Sequence, residues 1–449
     1  VDSRAGVMAS NKDTLEAQRY NRKRLVTAFV AGTPGGKELA ARSPGRPLIV
    51  GASLCVVLVI VALVMGRFSP VLRADWKNNT LVVVTGSGAR YLAMDGVLHP
   101  VTNVTSARLL SESGSFKISE VDASALSGIP RGNAVGLVDA PDQVPSASFL
   151  RSGDWVSCSA TSAGPRTWVA GAPDQVKAAD VAVVTAQGKD YLVADGRRYE
   201  MTGSDVAITL NLDAAAKHPV TAAWLSLFQE GTPLRPLTIK NYGQIASGMP
   251  SALRDAVIGS LVDVAQDSER RHYVVSDAGQ LTPLSELSYQ LYLIGSGKQQ
   301  KAPITVNAAD VSTVKVATGV VAPADWPQSA ANPVDATQQV CARLAESDRG
   351  AATAVAQVPT PVTPFQPGVS VAGGSGALVM GTAGGSLGAV RLVTDQGLAY
   401  GLGGNPSDTL GRLGYTESDV HRIPQAWLDL VPSGIELSHA AAWKTVTTP

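Results

Sequence analysis

The stretch Leu48–Met65, LIVGASLCVVLVIVALVM, limits what the rest of the chain can become. It contains no charged residue and no His, Asn, Gln or Pro. As a helix rising about 1.5 Å per residue it is roughly 27 Å long, close to the hydrocarbon thickness of a bilayer. A core helix of a soluble domain seldom runs this far without one polar side chain. A cleaved signal peptide has a short basic leader, a shorter apolar core and a small-residue cleavage site. Here residues 1–47 precede the run, and Gly66-Arg67-Phe68-Ser69-Pro70 follows it. The pattern predicts an uncleaved transmembrane anchor over 48–66.

Charge then sets an orientation. Nine basic residues precede the run, Arg4, Lys12, Arg19, Arg22, Lys23, Arg24, Lys37, Arg42 and Arg46, against Asp2, Asp13, Glu16 and Glu38. Only Arg67, Arg73 and Lys77 follow closely. The positive-inside rule places the N-terminus in the cytoplasm and everything beyond about Gly66 on the far side of the membrane. Of 37 basic and 37 acidic residues in the chain, 28 and 33 lie beyond the leader, a mild acidic excess that argues against nucleic acid as a partner. Cys55 lies within the apolar run. Cys158 and Cys341 fall on the exported side, where an oxidising compartment favours a disulfide; the alternative is two free buried thiols.

Residues 1–12 carry no apolar period and read as a disordered leader. Asp13 and Glu16 have the spacing of a capping box; Leu15, Leu25, Val26, Phe29 and Val30 are apolar, and Arg19, Arg22 and Lys23 sit three and four apart on another stripe, which together with Arg24 offer a contact for a cytosolic partner. A basic amphipathic segment over 13–47 is expected. It either docks on the membrane surface or a cytosolic partner, or simply sets topology. Gly32-Thr33-Pro34-Gly35-Gly36 stops the helix. Gly36-Lys37 is not a phosphate loop, because Ala31 and Glu38 stand where that motif needs Gly and Ser or Thr.

Past Pro70 the chain repeats itself. Residues 81–103, LVVVTGSGARYLAMDGVLHPVTN, lie over residues 181–203, VAVVTAQGKDYLVADGRRYEMTG, without a gap. Tyr91, Asp95 and Gly96 match Tyr191, Asp195 and Gly196. Each copy reads as strand, Gly turn, strand, Asp-Gly turn, strand, with the tyrosines as core and the aspartates as turn formers. Weaker copies begin at His272 and Val390. A second signature, AWLSLFQEGTPL from Ala223, recurs as AWLDLVPSGIEL from Ala426. It predicts a helical turn that buries Trp224 or Trp427, followed by a glycine exit. The fold class is therefore α+β: one transmembrane helix, then an ectodomain of four strand-rich repeat units around a central core. The expected units are 74–158, 175–240, 241–300 and 389–442, with a central segment at 301–358 and a Pro/Gly-rich connector at 359–388.

No catalytic constellation stands out. His99, His218, His272, His421 and His439 lack metal-ligand spacing. Ser312 and Lys315 match S-x-x-K, but VSTVKVA alternates as a strand, which sends residues three apart to opposite faces. No cofactor or metal is expected.

RYNRKRLVTAFV, one span, RYLAMDGVLHPVTNVTSARLL, SGIPRGNAVGLVDAP, DWVSC ending at Cys158, and GLGYTESDVHRIPQAWLDLVPSGIEL together resemble the EccB component of ESX (type VII) secretion systems. The resemblance covers about Thr14 to Ala442, and Cys341 sits where that family's second ectodomain cysteine is expected. It implies an elongated ectodomain of four repeats, similar to a phage-lysin cell-wall-binding fold, around a central core. It also implies a plasma-membrane core complex with the FtsK/SpoIIIE-type ATPase EccC, with EccD and with EccE. The expected role is a single-pass structural subunit whose ectodomains self-associate. The alternatives are a peptidoglycan-binding module on a membrane stalk, or the ATPase with which some family members are labelled.

Overall fold

The computed structural model describes residues 11–31, 45–67, 72–161, 164–266, 269–276, 279–300, 302–317, 321–347, 350–361 and 365–444. The first ten residues of the expected leader over 1–12, the glycine stop at 32–36 and the Gly36-Lys37-Glu38 comparison lie outside these residues, whereas Asn11 and Lys12 belong to a helix. The chain divides into two units, Val1–Val71 and Leu72–Pro449.

In the first unit a helix spans Asn11–Ala31, so Asp13 lies in its first turn rather than at its cap. Leu15, Leu25, Val26, Phe29 and Val30 are exposed, and so are Arg19, Arg22, Lys23 and Arg24. A second helix, Gly45–Arg67, carries the apolar run, and its side chains are described from Ile49 to Val61, all exposed. Among the described residues, no helix is long and apolar enough to cross a membrane.

Among its described residues the second unit holds five sheets, four of them built to one plan. Alternating apolar side chains form three antiparallel strands; a short helix follows, and the next strand returns parallel beside the first. Repeat 1 uses Thr80–Val84, Arg90–Met94, Val97–Pro100, the helix Val104–Leu110 and Lys117–Val121. Repeat 2 uses Val181–Ala186, Lys189–Ala194, Arg197–Glu200, the helix Ser204–Thr209 and Lys217–Pro219. Repeat 3 uses Leu261–Gln266, Glu269–Val275, Leu281–Leu284, the helix Glu286–Leu293 and Ile304–Asn307. Repeat 4 uses Ala377–Ala383, Ser386–Val393, Ala399–Leu402, the helix Pro406–Leu413 and His421–Pro424. Gln229–Glu230 and Ser433–Leu437 add a fifth strand to repeats 2 and 4. The fifth sheet is central and six-stranded, in the order Gly368–Ser370, Gly164–Trp168, Val156–Thr161, Gln338–Ser347, Gly350–Pro359, Lys177–Ala178.

Boundaries in the second unit differ from the sequence reading, and Lys177–Ala178, expected in repeat 2, is an edge strand of the central sheet. Val156–Thr161 belongs to the central sheet, not to repeat 1. The segment 301–358 is divided: Ile304–Asn307 fills the open edge of repeat 3, and only its last part, from Gln338, joins the centre. The supposed connector 359–388 supplies a central edge strand and the first strand of repeat 4, where Ala377, Leu378 and Val379 are buried. Its glycines serve packing as well as turning. A Cβ on Gly381 would stand 1.8 Å from the Gln425 Oε1, so glycine lets the strand press against the next helical turn. Nor is VSTVKVA a strand: Ala308–Val311 is a 3₁₀ turn, and the Ser312 hydroxyl donates to the Ala309 carbonyl at 2.8 Å.

Order in the sequence is not order in the core, although repeats 2 and 3 adjoin in both. Leu81 and Leu92 of repeat 1 share one cluster with Leu378, Leu392, Leu410 and Leu413 of repeat 4. Val183, Leu192 and Tyr199 of repeat 2 share another with Leu261, Val274, Leu287 and Tyr292 of repeat 3. Repeats 2 and 4 both meet the central sheet in a third. Packing therefore runs 1–4–centre–2–3.

Candidate functional site

The Asp-Gly turns are backbone devices. Asp95 and Gly96 have φ of 50° and 76°, and Asp195 and Gly196 have 49° and 72°, the paired left-handed residues of a two-residue hairpin turn. Both aspartates are exposed. Tyr91 pairs across the sheet with Val82 and Pro100, and the Arg131 guanidinium lies 4.2 Å over its ring. Tyr191 packs at the margin of the central cluster.

The glycine exit has a partner that sequence reasoning missed. Gly132, Gly231 and Gly434 each lie against the ring of the middle residue of the third strand. A Cβ there would fall 2.2 Å from His99, 2.3 Å from Tyr199 and 2.6 Å from Tyr400. The register is the same in each case: Gly132 N–H donates to Leu98 O, and Gly231 N–H donates to Arg198 O. In repeat 3 the same bond runs from Ala317 to Leu281, and the next residue is Thr282 instead of a ring. A small side chain there leaves room for the alanine methyl group. Burial and the carbonyl of Asp325, which accepts the Tyr199 hydroxyl at 2.5 Å, fix the repeat-2 ring; burial pushes that phenol up to about 12.

Trp224 sits in the turn Ala222–Leu225, where its own N–H donates to the Thr221 hydroxyl at the cap, and Trp427 sits in Gln425–Leu428. Both are fully buried. The Trp224 indole N–H donates to Ser157 O at 2.8 Å, and that of Trp427 to the Thr353 hydroxyl at 2.9 Å, so each pins its repeat to a central strand. Trp155 meets Trp427 edge-on with centroids 6.4 Å apart. Cys158 and Cys341 face each other across adjacent central strands and form a disulfide in a cluster with Trp168, Ala356 and Val358.

Repeats 1 and 4 are joined by a reciprocal pair of arginines. Arg108 Nη1 donates to Leu413 O at 3.3 Å, at the end of the repeat-4 helix. Arg412 Nη1 donates to Ser111 O at 2.6 Å and to Leu109 O at 3.3 Å, at the end of the repeat-1 helix. Each cation thus meets the negative pole of the other helix. Burial lowers the Arg108 pKa, and Tyr415 partly offsets this. At the chain's last helix, Trp443 Nε1 donates to His439 Nε2 at 3.0 Å, while His99 of repeat 1 lies edge-on to the same indole.

Among the described residues, no three His, Cys, Asp or Glu side chains are grouped to hold a metal ion. A cleft of about 370 Å³ opens on repeat 3 beside His272 and Glu286.

Fold and contacts define a class of protein: a body of four strand–helix repeats pinned by two tryptophans and a disulfide-bearing sheet, preceded by two helices. A family model described as "Type VII secretion system ESX-1, transport TM domain B" matches residues 7–448, and the chain belongs to that family. It is 25% identical over 293 residues to the Mycobacterium tuberculosis protein named "ESX-1 secretion system ATPase EccB1", covering 61% of this chain and 59% of that one. It is 26% identical over 459 residues to "ESX-3 secretion system ATPase EccB3" of the same organism, covering 89% and 83%. The match thus spans less than two thirds of the ESX-1 relative. Among solved structures, a chain of "Structure of EccB3 dimer from the ESX-3 core complex" superposes with TM-score 0.65 at 22% identity, over 82% of this chain and 100% of that one. One from "Structure of an intact ESX-5 inner membrane complex, Composite C3 model" gives 0.65 at 20%, over 99% and 97%. At such identities the likeness concerns fold.

Proposed function

We propose that this chain is a structural subunit of the membrane core complex of a type VII secretion system. It is anchored by the apolar helix around 48–66, with its N-terminus in the cytoplasm and its repeat body outside. The observation that carries the reading is the continuous body itself: four repeats and a central sheet, matching the family from end to end and resembling chains solved within ESX inner membrane complexes. Such a body offers large surfaces for neighbours and for further copies of itself. The exposed helix Asn11–Ala31, with Arg19, Arg22, Lys23 and Arg24, supplies a basic contact for cytosolic parts of the complex, such as an EccC-type ATPase, or for EccD- and EccE-type subunits. Relatives carry "ATPase" in their names, but the sequence around Gly36-Lys37 lacks a phosphate loop.

Two experiments test this. Protease added to spheroplasts is expected to digest a tag after Ala442 and to spare one before Asn11; the reverse pattern overturns the topology. Deleting residues 14–30 is expected to release cytoplasmic subunits from the detergent-extracted complex; full retention removes the proposed role of the helix.

A further inference from the structure

We propose that the helix Asn11–Ala31 lies flat on the anionic phospholipid surface of the cytoplasmic leaflet, held there by Arg19, Arg22 and Lys23 together with Leu25, Val26 and Phe29. The inference rests on the topology proposed above and gives this helix a partner within it.

The sequence pattern set basic and apolar residues on separate stripes. The helix, continuous over 21 residues, brings them together. At about 100° per residue these six side chains fall within one arc of about 160°. Arg22 projects between Phe29 and Val26. Arg24 and Asp13 fall on the far side, and the two acids of the helix, Asp13 and Glu16, belong to its first two turns, away from the apolar end. All six residues of the arc are exposed, Phe29 at 85%. Among the described residues, Arg19, Arg22 and Lys23 form no ion pair with a carboxylate. The face thus combines unbalanced positive charge with bare apolar surface.

A bilayer interface meets both needs, because it sets phosphate groups directly above acyl chains. Leu25, Val26 and Phe29 enter to the depth of about 5–10 Å usual for interfacial helices, while the arginine and lysine stems lie along them and carry their charges up to the phosphates. A protein groove matching the same arc would have to desolvate carboxylates inside an apolar wall. The cytoplasmic leaflet supplies the anionic lipid. Residues 32–44 join this helix to the apolar helix Gly45–Arg67, a reach of at most about 45 Å. An anchored chain therefore keeps the face beside the bilayer at high effective concentration, and a modest surface affinity suffices to hold it. The far side, with Arg24, stays turned to the cytosol for other subunits.

The test uses the full-length chain carrying Cys55→Ser, with a polarity-sensitive NBD label on Val26→Cys or, as a far-side control, on Ala28→Cys. Each is reconstituted into nanodiscs of phosphatidylcholine with phosphatidylglycerol, or of phosphatidylcholine alone. The Val26→Cys label is expected to show blue-shifted emission and quenching by doxyl-labelled lipid in the anionic discs, and the Ala28→Cys label neither. Adding Arg19→Gln, Arg22→Gln and Lys23→Gln together should weaken docking by about 100-fold and return the Val26→Cys emission to that of the control. These substitutions lie outside the repeat body, so its folding is not at stake. A Val26→Cys label as wet as the control in both lipids overturns the proposal and leaves the face to a protein partner. A shift that is equal without phosphatidylglycerol, or that survives the triple change, overturns the recognition of anionic lipid. Entry of the chain into discs is read separately by size exclusion; a chain that does not enter overturns the anchor itself and this inference with it.

Discussion

Replacing Gly231 by alanine tests the ring–glycine packing that recurs in three repeats. The new methyl group would lie 2.3 Å from Tyr199 Cε1 and 2.5 Å from Cδ1, well inside van der Waals contact. The ring cannot retreat easily, because Tyr199 is fully buried and its hydroxyl is bonded to Asp325 O. Overpacking of this kind costs about 1–3 kcal/mol. One term opposes it: Gly231 is not in the left-handed region, so alanine lowers the entropy of the unfolded chain, a gain of about 0.4–1 kcal/mol. The clash wins, and a net loss of roughly 1–2 kcal/mol is expected. Repeat 3 indicates the remedy, since Thr282 with Ala317 fills the same place. Combined with Tyr199→Thr, itself costly, Gly231→Ala should add little or nothing. A double-mutant cycle by denaturant unfolding of the full chain should therefore show coupling of about 1 kcal/mol or more. A Gly231→Ala chain as stable as the parent, or strict additivity, refutes the reasoning.

Further predictions use other contacts. Trp427→Ala should destabilise the body by about 3–5 kcal/mol by opening a cavity and leaving the buried Thr353 hydroxyl without its donor; a smaller effect than an exposed control, such as Trp443→Ala, would contradict its role as a pin. Breaking the Cys158–Cys341 bond, which joins residues 183 apart, should lower stability by about 2–5 kcal/mol, read as a fall in melting temperature on reduction; no fall would mean that the central sheet is held without it. Burial, and next Arg412, lower the pKa of His439, with Asp408 opposing. Its neutral form is favoured in the fold, where it accepts from Trp443. Its contribution is thus complete above the unfolded value of about 6.5 and is lost as pH falls through that value toward the folded one. Melting measured from pH 8 to pH 5 should show a loss that His439→Gln flattens, and an unchanged slope in that variant would rule the residue out.

Local structure was largely legible in the sequence. The ungapped match of Leu81–Asn103 to Val181–Gly203 gave the three-strand unit, because hairpin periodicity and Asp-Gly turns are properties of neighbours in the chain. The two tryptophan signatures likewise pointed to buried helical turns. What stayed hidden depends on distant partners. Nothing local in Val156–Thr161 or Gln338–Ser347 says that they pair with each other, and nothing in repeat 1 says that it packs on repeat 4. The tract around Gly381 read as a connector because glycine signals flexibility until the neighbour it accommodates, Gln425, is known. The partners of His272 stayed hidden for the same reason: Asp263 and Glu286 reach it through sheet register and helix placement, not through motif spacing.

The central claim is that the chain works by being built into a larger membrane assembly. It is tested most directly by extracting the tagged full-length chain from membranes in mild detergent and measuring the mass and composition of what co-purifies. The account predicts a discrete high-mass complex containing several copies of this chain together with other type VII core subunits. Recovery of the 46.3 kDa chain alone, as a monomer at every detergent concentration, would contradict it.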